Sequence, residues 1–144
     1  MIVYVDSSVL VSAYLSDEPL HAEARLLLET SVDPLVTAEI TLVELVAAMM
    51  AASRAGRIDD PIRMLEKADV EIFEQGLVSV AEVFDEAMIG RARDVAVAVP
   101  VHASDAIHIA SAMAIADSAD AELVFRTEDR QQARAAEAVG LRVA

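Results

Sequence analysis

The 144-residue chain contains no cysteine and no tryptophan, and its aromatic residues make up only 3% of the sequence. The missing cysteines exclude disulfide bonds, thiolate zinc sites and a cysteine nucleophile. Three scattered histidines, His21, His102 and His108, are too dispersed to suggest a histidine zinc site. Because 56% of the residues are hydrophobic, the core must be built mainly from Ala, Val, Leu and Ile.

Long apolar segments are also missing. The longest strictly apolar run, Leu45 to Ala52, has eight residues, whereas crossing a bilayer takes roughly 20. The N-terminus lacks the basic region that precedes the apolar part of a secretory signal. We therefore expect a soluble, cytoplasmic protein without a membrane segment, and the missing cysteines are compatible with the reducing cytosol.

Glycine and basic residues are scarce as well. The four glycines never cluster, so the chain has no glycine-rich phosphate loop. It also has no Gly-x-Ser-x-Gly motif of the kind that presents a nucleophilic serine. Only 11 basic residues face 25 acidic ones, for a net charge of −14. This charge argues against a protein that holds nucleic acid by overall attraction, so a nucleic acid substrate would require local arginines and bound cations.

Short β-branched segments alternate with helical ones along the whole chain. This pattern predicts a parallel sheet, and a length of 144 residues suits one domain, 1–144, with a three-layer core. The predicted strands are 2–5, 34–37, 77–80, 122–126 and 141–143, and the predicted helices are 7–15, 20–30, 39–55, 60–74, 82–96, 104–117 and 129–138.

Four acidic residues occupy positions that solvation alone does not explain. Asp6 ends the first predicted strand, and Glu44 is the only ionised group in an apolar helix that we expect to be buried. Asp105 opens a mostly apolar helix, and Asp129 follows the fourth predicted strand. Residues at the carboxyl ends of parallel strands converge on one edge, where ligands bind. Since Mg²⁺ and Mn²⁺ take oxygen ligands, the four acids predict one metal site.

Each acid also has an ordinary structural explanation. Asp6 could cap the helix that follows the first strand. Asp105 could be a first-turn acid favoured by the helix dipole, and Asp129 could begin a solvated helix. Glu44 could form a buried ion pair with an arginine from another helix.

Other polar residues near these acids have less specific interpretations. His108 follows Asp105 by one helical turn, so it could orient a ligand, although a partly buried structural histidine is the commoner case. Several arginines are placed densely enough to meet phosphate groups, although surface arginines are often solvated or paired with acids. These arginines are Arg54, Arg57, Arg91, Arg93, Arg126, Arg130 and Arg134.

The same segments resemble a PIN domain, at the size of a stand-alone VapC-type toxin ribonuclease. The resemblance follows the order of the motifs along the full chain rather than any one of them. The matching segments are Val5-Asp6-Ser7-Ser8, helix 39–52 with its single Glu44, Ser104 to Ala112, Thr127-Glu128-Asp129-Arg130 and 135–141.

The resemblance implies an α/β/α sandwich, RNA cleavage by water activated with Mg²⁺ or Mn²⁺, a homodimer, and inhibition by a small cognate antitoxin. On the matched positions, Asp6, Glu44 and Asp105 would be the core metal ligands. Asp129 would complete this set of four catalytic carboxylates.

The resemblance also assigns supporting roles and shows two departures. Ser8 and Thr127 would form hydrogen bonds with ligands or with metal-bound waters. The chain is more acidic than a typical RNA-cutting member, and Arg126 and Glu128 flank Thr127 where smaller or apolar residues are usual. Both departures concern substrate preference and leave the ligand set intact.

Three alternatives stay open at this stage. The chain could be a PIN nuclease of RNA processing without a toxin role, which a neighbouring antitoxin gene would distinguish. It could be a degenerate PIN fold that acts only as an interaction module, which metal binding would distinguish. A receiver-like signalling module also uses strand-end acids, but it needs a lysine near the last strand. The only lysine is Lys67, so that alternative fits poorly.

Overall fold

In the computed structural model, which describes residues 1–144, five parallel strands form one central sheet. The strands are β1 (Ile2–Val5), β2 (Leu35–Ala38), β3 (Ser79–Ala81), β4 (Leu123–Arg126) and β5 (Arg142–Val143). They pair in the order β3-β2-β1-β4-β5, and every pairing is parallel. The predicted α/β class is confirmed, and the sheet is entirely rather than mainly parallel.

Seven α-helices cover the two faces of the sheet. They are α1 (Ser7–Tyr14), α2 (His21–Thr30), α3 (Ile40–Arg54), α4 (Pro61–Asp69), α5 (Glu86–Ala98), α6 (Ala103–Ala119) and α7 (Arg130–Ala138). A π-helical turn, Val70–Glu74, follows α4 directly. None of these helices combines the length and the apolar character needed to cross a membrane.

The strands divide the core into two layers because successive side chains point to opposite faces. Val3 and Val5 of β1 pack with α1, α2, α3 and α4. Tyr4 points the other way, into the layer formed with α5, α6 and α7. There its ring stacks on Phe125 of β4, with 5.3 Å between the ring centroids. The predicted three-layer α/β/α sandwich is therefore confirmed.

The helix predicted at 82–96 begins four residues later in the structure, at Glu86. Helix α5 begins only at Glu86, because the preceding backbone is held by acidic side chains. The Glu39 carboxylate accepts hydrogen bonds from the backbone N–H groups of Val83 and Phe84, both at 3.0 Å. Asp85 then caps the helix by accepting from the N–H of Met88 at 2.8 Å.

The prediction that the apolar helix α3 is buried is wrong, because one side of it faces solvent. Leu45 and Met49 lie in the core, but Val43 and Val46 on the other side of the helix are 71% and 47% exposed. Hydrophobic composition alone does not show which side of a helix has a partner to pack against. The Glu44 side chain is 30% exposed, so it lies at the boundary between core and solvent.

Candidate active site

Asp6 follows the last residue of β1 and is almost completely buried, with 2% of its surface exposed. Its Oδ1 accepts hydrogen bonds from the Ser8 hydroxyl at 2.6 Å and from the backbone N–H of Val9 at 3.3 Å. Its Oδ2 accepts from the Thr127 hydroxyl at 2.9 Å. Asp6 therefore caps α1, as the ordinary explanation predicted, and also lies at the strand end, as the site prediction required.

Burial raises the pKa of Asp6, because an ionised carboxylate loses hydration in the protein interior. The hydrogen bonds from Ser8 and Thr127, together with nearby His108, oppose this increase without cancelling it. A buried carboxylate of this kind gains stability from a cation brought close to it.

Glu44 projects from α3 toward α6, where it meets His108. The distance between Glu44 Oε1 and His108 Nε2 is 2.5 Å. The other nitrogen of the ring, Nδ1, lies 2.7 Å from the Tyr4 hydroxyl. The partner of Glu44 is thus a histidine, and the expected alternative of an arginine partner is not observed.

Asp105 lies in the first turn of α6, and Asp129 is the residue directly before α7. The Oδ2 atom of Asp105 accepts from the backbone N–H of His102 at 3.3 Å. Burial raises the pKa of Asp105, and the charge of Asp129 raises it further. Asp129 uses Oδ1 to accept from the N–H groups of Gln131 and Gln132, at 2.7 Å and 3.1 Å.

Thr127, the residue directly after β4, is hydrogen-bonded to Asp6 after β1. Its hydroxyl lies 2.9 Å from Asp6 Oδ2 and 2.7 Å from the Gln132 side-chain carbonyl, and it also accepts from the Asp129 N–H at 3.0 Å. A hydroxyl carries one proton and cannot donate to both acceptors. The Gln132 amide nitrogen, in addition, is buried without a partner.

Exchanging the amide oxygen and nitrogen of Gln132 resolves this conflict, since the two atoms differ little in shape. The amide nitrogen then donates to the Thr127 oxygen, and the single Thr127 proton goes to Asp6. The unpartnered atom becomes a carbonyl oxygen, which is tolerated more readily than an orphaned N–H. The amide nitrogen of Gln132 therefore faces the Thr127 hydroxyl.

A second connection ties α1 to the loop after β4. The Ser8 hydroxyl accepts from the backbone N–H of Glu128 at 2.9 Å, and the Ser12 hydroxyl donates to the Glu128 carboxylate. Burial raises the pKa of Glu128, and the charge of Asp6 contributes to the increase. These bonds hold Ser8 in the position from which it donates to Asp6.

Sequence reasoning missed Tyr4, Gln132, Ser12 and Glu128. The sequence pattern could have indicated Tyr4 and Gln132. Tyr4 precedes Asp6 by two positions in a strand, so both side chains point to the same face. Gln132, Ala135 and Ala136 share the inward face of α7, where an unexplained amide indicates a polar partner.

Some of the candidate arginines already form ion pairs with acidic side chains, and others do not. Arg57 is paired with Asp17 and Glu18, at 2.8 Å and 2.6 Å. Arg91 is paired with Asp117 at 2.7 Å. No ion pair engages the remaining candidates, which are Arg54, Arg93, Arg126, Arg130 and Arg134.

The four predicted carboxylates occupy the same region but do not form a closed cage. No group of three or more His, Asp or Glu side chains is arranged to share one ion. Glu44, Asp105 and Asp129 nevertheless each use a single oxygen in the bonds described above, so each has one oxygen free. Carboxylate oxygens are the donor type that a hard divalent cation such as Mg²⁺ or Mn²⁺ takes.

No curated protein sequence matches this chain. Two solved structures contain VapC proteins at 17% identity. VapC20 from Mycobacterium tuberculosis, described as a Sarcin-Ricin loop cleaving toxin, has a TM-score of 0.67 over 96% of this chain and 95% of that one. VapBC-1 from nontypeable Haemophilus influenzae has a TM-score of 0.63 over 100% and 97%.

A third structure, VapBC2 from Rickettsia felis bound to a DNA fragment from their promoter, is 13% identical with a TM-score of 0.65 over 100% and 98%. At these identities the structures establish a common fold. The family model for the PIN domain matches residues 3–138, which include all four carboxylates. The resemblance drawn from the sequence motifs is thereby confirmed: the chain belongs to the PIN domain family.

Proposed function

We propose that this protein is a divalent-cation-dependent endoribonuclease that acts as the toxin of a toxin–antitoxin pair. The observation that carries the proposal is the buried Asp6 carboxylate, held by Ser8 and Thr127 at the sheet edge of a PIN-family chain. VapC20 is described as a Sarcin-Ricin loop cleaving toxin, and VapBC-1 and VapBC2 are antitoxin complexes. These relatives support a loop-cleaving activity and an antitoxin partner, and the proposal adds RNA as the substrate and the cytoplasm as the place of action.

In this proposal Asp6, Glu44 and Asp105 hold Mg²⁺ or Mn²⁺, and Asp129 supports a second ion or its waters. A divalent cation held there would lower the pKa of water enough to provide a nucleophile at neutral pH and would stabilise the charge that develops on the phosphate. The free oxygens of Glu44, Asp105 and Asp129 are the donors available for this purpose.

The chain's own hydroxyl groups orient the carboxylates and do not attack the substrate. Ser8 donates to Asp6 and accepts from the Glu128 N–H, so its oxygen is already engaged. Thr127 donates to Asp6 and accepts from Asp129. Both hydroxyls donate their single proton to Asp6, the carboxylate assigned to the cation, and neither is paired with a histidine base of the kind that activates a serine nucleophile.

The substrate in this proposal is single-stranded or looped RNA. A chain with a net charge of −14 repels RNA, so local contacts must overcome that repulsion. Arg126 lies three residues before Asp129 and Arg130 directly after it, and neither forms an ion pair, which leaves their guanidinium groups available for phosphate oxygens. Arg54, at the end of α3, is available in the same way.

Cleavage of a structured RNA by purified protein tests the mechanism. We expect cleavage with millimolar Mg²⁺ or Mn²⁺ and none in excess EDTA. Asp105→Asn should reduce the rate at least ~100-fold, because it replaces a proposed metal ligand, whereas Thr127→Val should lose less. Asp117→Asn provides a matched control at the other end of α6, where the exposed carboxylate pairs only with Arg91. It should cleave like the wild type.

Metal binding is measured separately by thermal unfolding. A cation that binds only the folded state should raise the melting temperature, and Asp6→Asn should abolish most of this increase. Full cleavage activity in EDTA, or in Asp105→Asn, would remove the metal from the mechanism. An unchanged melting curve across millimolar Mn²⁺ would contradict the metal site itself and favour the degenerate interaction module.

The toxin role is tested in cells with the same pair of variants. Induction of the wild type should arrest growth, whereas induction of Asp105→Asn should not. Co-expression of a small DNA-binding protein encoded beside this gene should relieve the arrest. Cleavage in vitro without growth arrest would instead support a PIN nuclease of RNA processing.

A further inference from the structure

His108 is a buried histidine whose two ring nitrogens both have partners. It is 1% exposed and lies on α6, one turn after Asp105. Nε2 lies 2.5 Å from Glu44 Oε1, and Nδ1 lies 2.7 Å from the hydroxyl of Tyr4. Since both nitrogens are engaged by protein groups, His108 in this arrangement cannot itself be a metal ligand.

The partners determine where the ring protons lie. Nε2 faces a carboxylate oxygen, so Nε2 must carry a proton and donate it to Glu44. In a neutral ring Nδ1 is then an acceptor, and the Tyr4 hydroxyl is the donor placed to satisfy it. Tyr4 is completely buried and next to His108, so its proton has a defined direction. The tyrosine thereby selects the ring tautomer that can donate to Glu44.

Glu44 depends on this contact for its position. Its bond to His108 is the only hydrogen bond or ion pair that its side chain makes. The side chain is 30% exposed and has three rotatable bonds, so without His108 it would be free to move into solvent. The bond occupies Oε1 and leaves Oε2 as the single oxygen that Glu44 can offer to a cation.

We propose that His108 is a positioning residue, which fixes Glu44 so that Oε2 is presented to the divalent cation, and that Tyr4 in turn fixes His108. This inference rests on the metal site of the proposed function. Outer groups that orient metal ligands typically contribute about 10- to 100-fold to metal affinity. The expected loss on removing the Nε2 donor is therefore of that size.

Two amide substitutions separate the functions of the two ring nitrogens. The amide nitrogen of His108→Gln can occupy the position of Nε2 and donate to Glu44. The amide of His108→Asn is one carbon shorter, so it reaches only the position of Nδ1, beside Tyr4. Both variants remove the aromatic ring, which makes them matched controls for the loss of packing.

Titration calorimetry with Mn²⁺ alone, in the absence of RNA, provides the measurement. We expect His108→Asn to bind Mn²⁺ about 10- to 100-fold more weakly than the wild type, and His108→Gln to recover most of that loss. Equal weakening in both variants would assign His108 a packing role and overturn the proposal. Unchanged binding in His108→Asn would also overturn it.

Three Mn²⁺ affinities together distinguish a failed positioning role from a failed metal site. If the wild type binds Mn²⁺, Asp6→Asn does not, and His108→Asn matches the wild type, only the positioning role fails. If the wild type does not bind Mn²⁺, the metal site and the positioning role fail together. Should His108→Asn not fold, Tyr4→Phe carries the test because it deletes a single hydroxyl. Its Mn²⁺ affinity should fall below that of the wild type, and an unchanged affinity overturns the proposal.

Discussion

The single proton of the Thr127 hydroxyl decides whether Asp6 receives a second side-chain donor. With the amide nitrogen of Gln132 facing Thr127, that proton is directed to Asp6 Oδ2. The Gln132 side chain then acts on Asp6 through Thr127, while its backbone N–H donates to Asp129. Two substitutions of Gln132 with side chains of similar size should therefore change Mn²⁺ affinity by different amounts.

We predict that Gln132→Glu weakens Mn²⁺ binding about 10- to 100-fold, and that Gln132→Leu weakens it much less. A glutamate at this position offers only acceptors when ionised, so it draws the Thr127 proton away from Asp6. Leucine removes the amide but leaves Thr127 free to donate to Asp6. Calorimetry at mildly alkaline pH, where the introduced carboxyl ionises, measures both affinities. Equal losses in the two variants would contradict the proton assignment.

The sequence predicts those contacts of the site that follow from the order of the strands. Asp6 and Thr127 follow adjacent strands directly, and the sheet order places β1 beside β4, so their contact follows from the topology. The contact between Glu44 and His108 joins residues that are 64 positions apart, on α3 and α6. Helix packing decides that contact, and no local pattern in the sequence contains it.

At the scale of elements, one buried acid joins α1, α2 and the π-helical turn. Glu71 accepts from the Tyr14 hydroxyl at 2.8 Å and from Arg25 at 2.7 Å and 3.2 Å. The Arg25 guanidinium also lies over the Tyr14 ring, 5.5 Å from its centroid. Burial opposes the ionisation of Glu71, but the hydrogen bonds from Arg25 and Tyr14 prevail and lower its pKa.

We predict that Glu71→Gln lowers the free energy of unfolding by roughly 2 kcal/mol at neutral pH, the usual weight of hydrogen bonds to a charged group. A depressed folded-state pKa adds stability above the unfolded value of about 4.3, and this stability is lost as pH falls through the folded pKa. The difference between wild type and variant should therefore shrink in acid. Urea unfolding at neutral and acidic pH measures it.

Glu29→Gln is the control for this prediction, since Glu29 pairs with the same Arg25 within α2 but is half exposed. Exposed pairs of this spacing contribute only about 0.3–0.5 kcal/mol. If Glu71→Gln lowers the free energy of unfolding no more than Glu29→Gln does, the buried Glu71 contacts stabilise the protein no more than an exposed ion pair.

The elements themselves were predicted closely, and the errors have local causes. Strand β1 and helix α2 follow directly from their hydrophobic patterns. Helix 60–74 was predicted as continuous, whereas the structure has α4 followed by the π-helical turn, in which the N–H of Gln75 bonds to the Val70 carbonyl at 2.9 Å. The late start of α5 depends on Glu39, a residue more than forty positions earlier. A pattern within one segment cannot contain such distant contacts.

At the scale of the whole molecule, net charge opposes the association of two copies of the chain, whereas exposed apolar surface favours it. The net charge of −14 makes two copies of the chain repel each other. Large apolar side chains nevertheless remain at the surface, including Val43 and Val46 on α3, Phe73 on the π-helical turn and Val97 on α5. On α3 the exposed positions Val43, Val46 and Ala47 follow helical spacing and form one apolar stripe.

We predict a homodimer whose interface is formed by such apolar helix surfaces rather than by ion pairs. Sedimentation should give about twice 15.4 kDa, and the dimer should persist or tighten between about 0.1 M and about 1 M salt, because salt screens the repulsion between the chains. An interface held by ion pairs would weaken over the same range. Val46→Asp should dissociate the dimer if the α3 stripe forms the interface, and Val97→Asp should do so if α5 forms it. A strictly monomeric wild type at tens of micromolar would contradict the prediction.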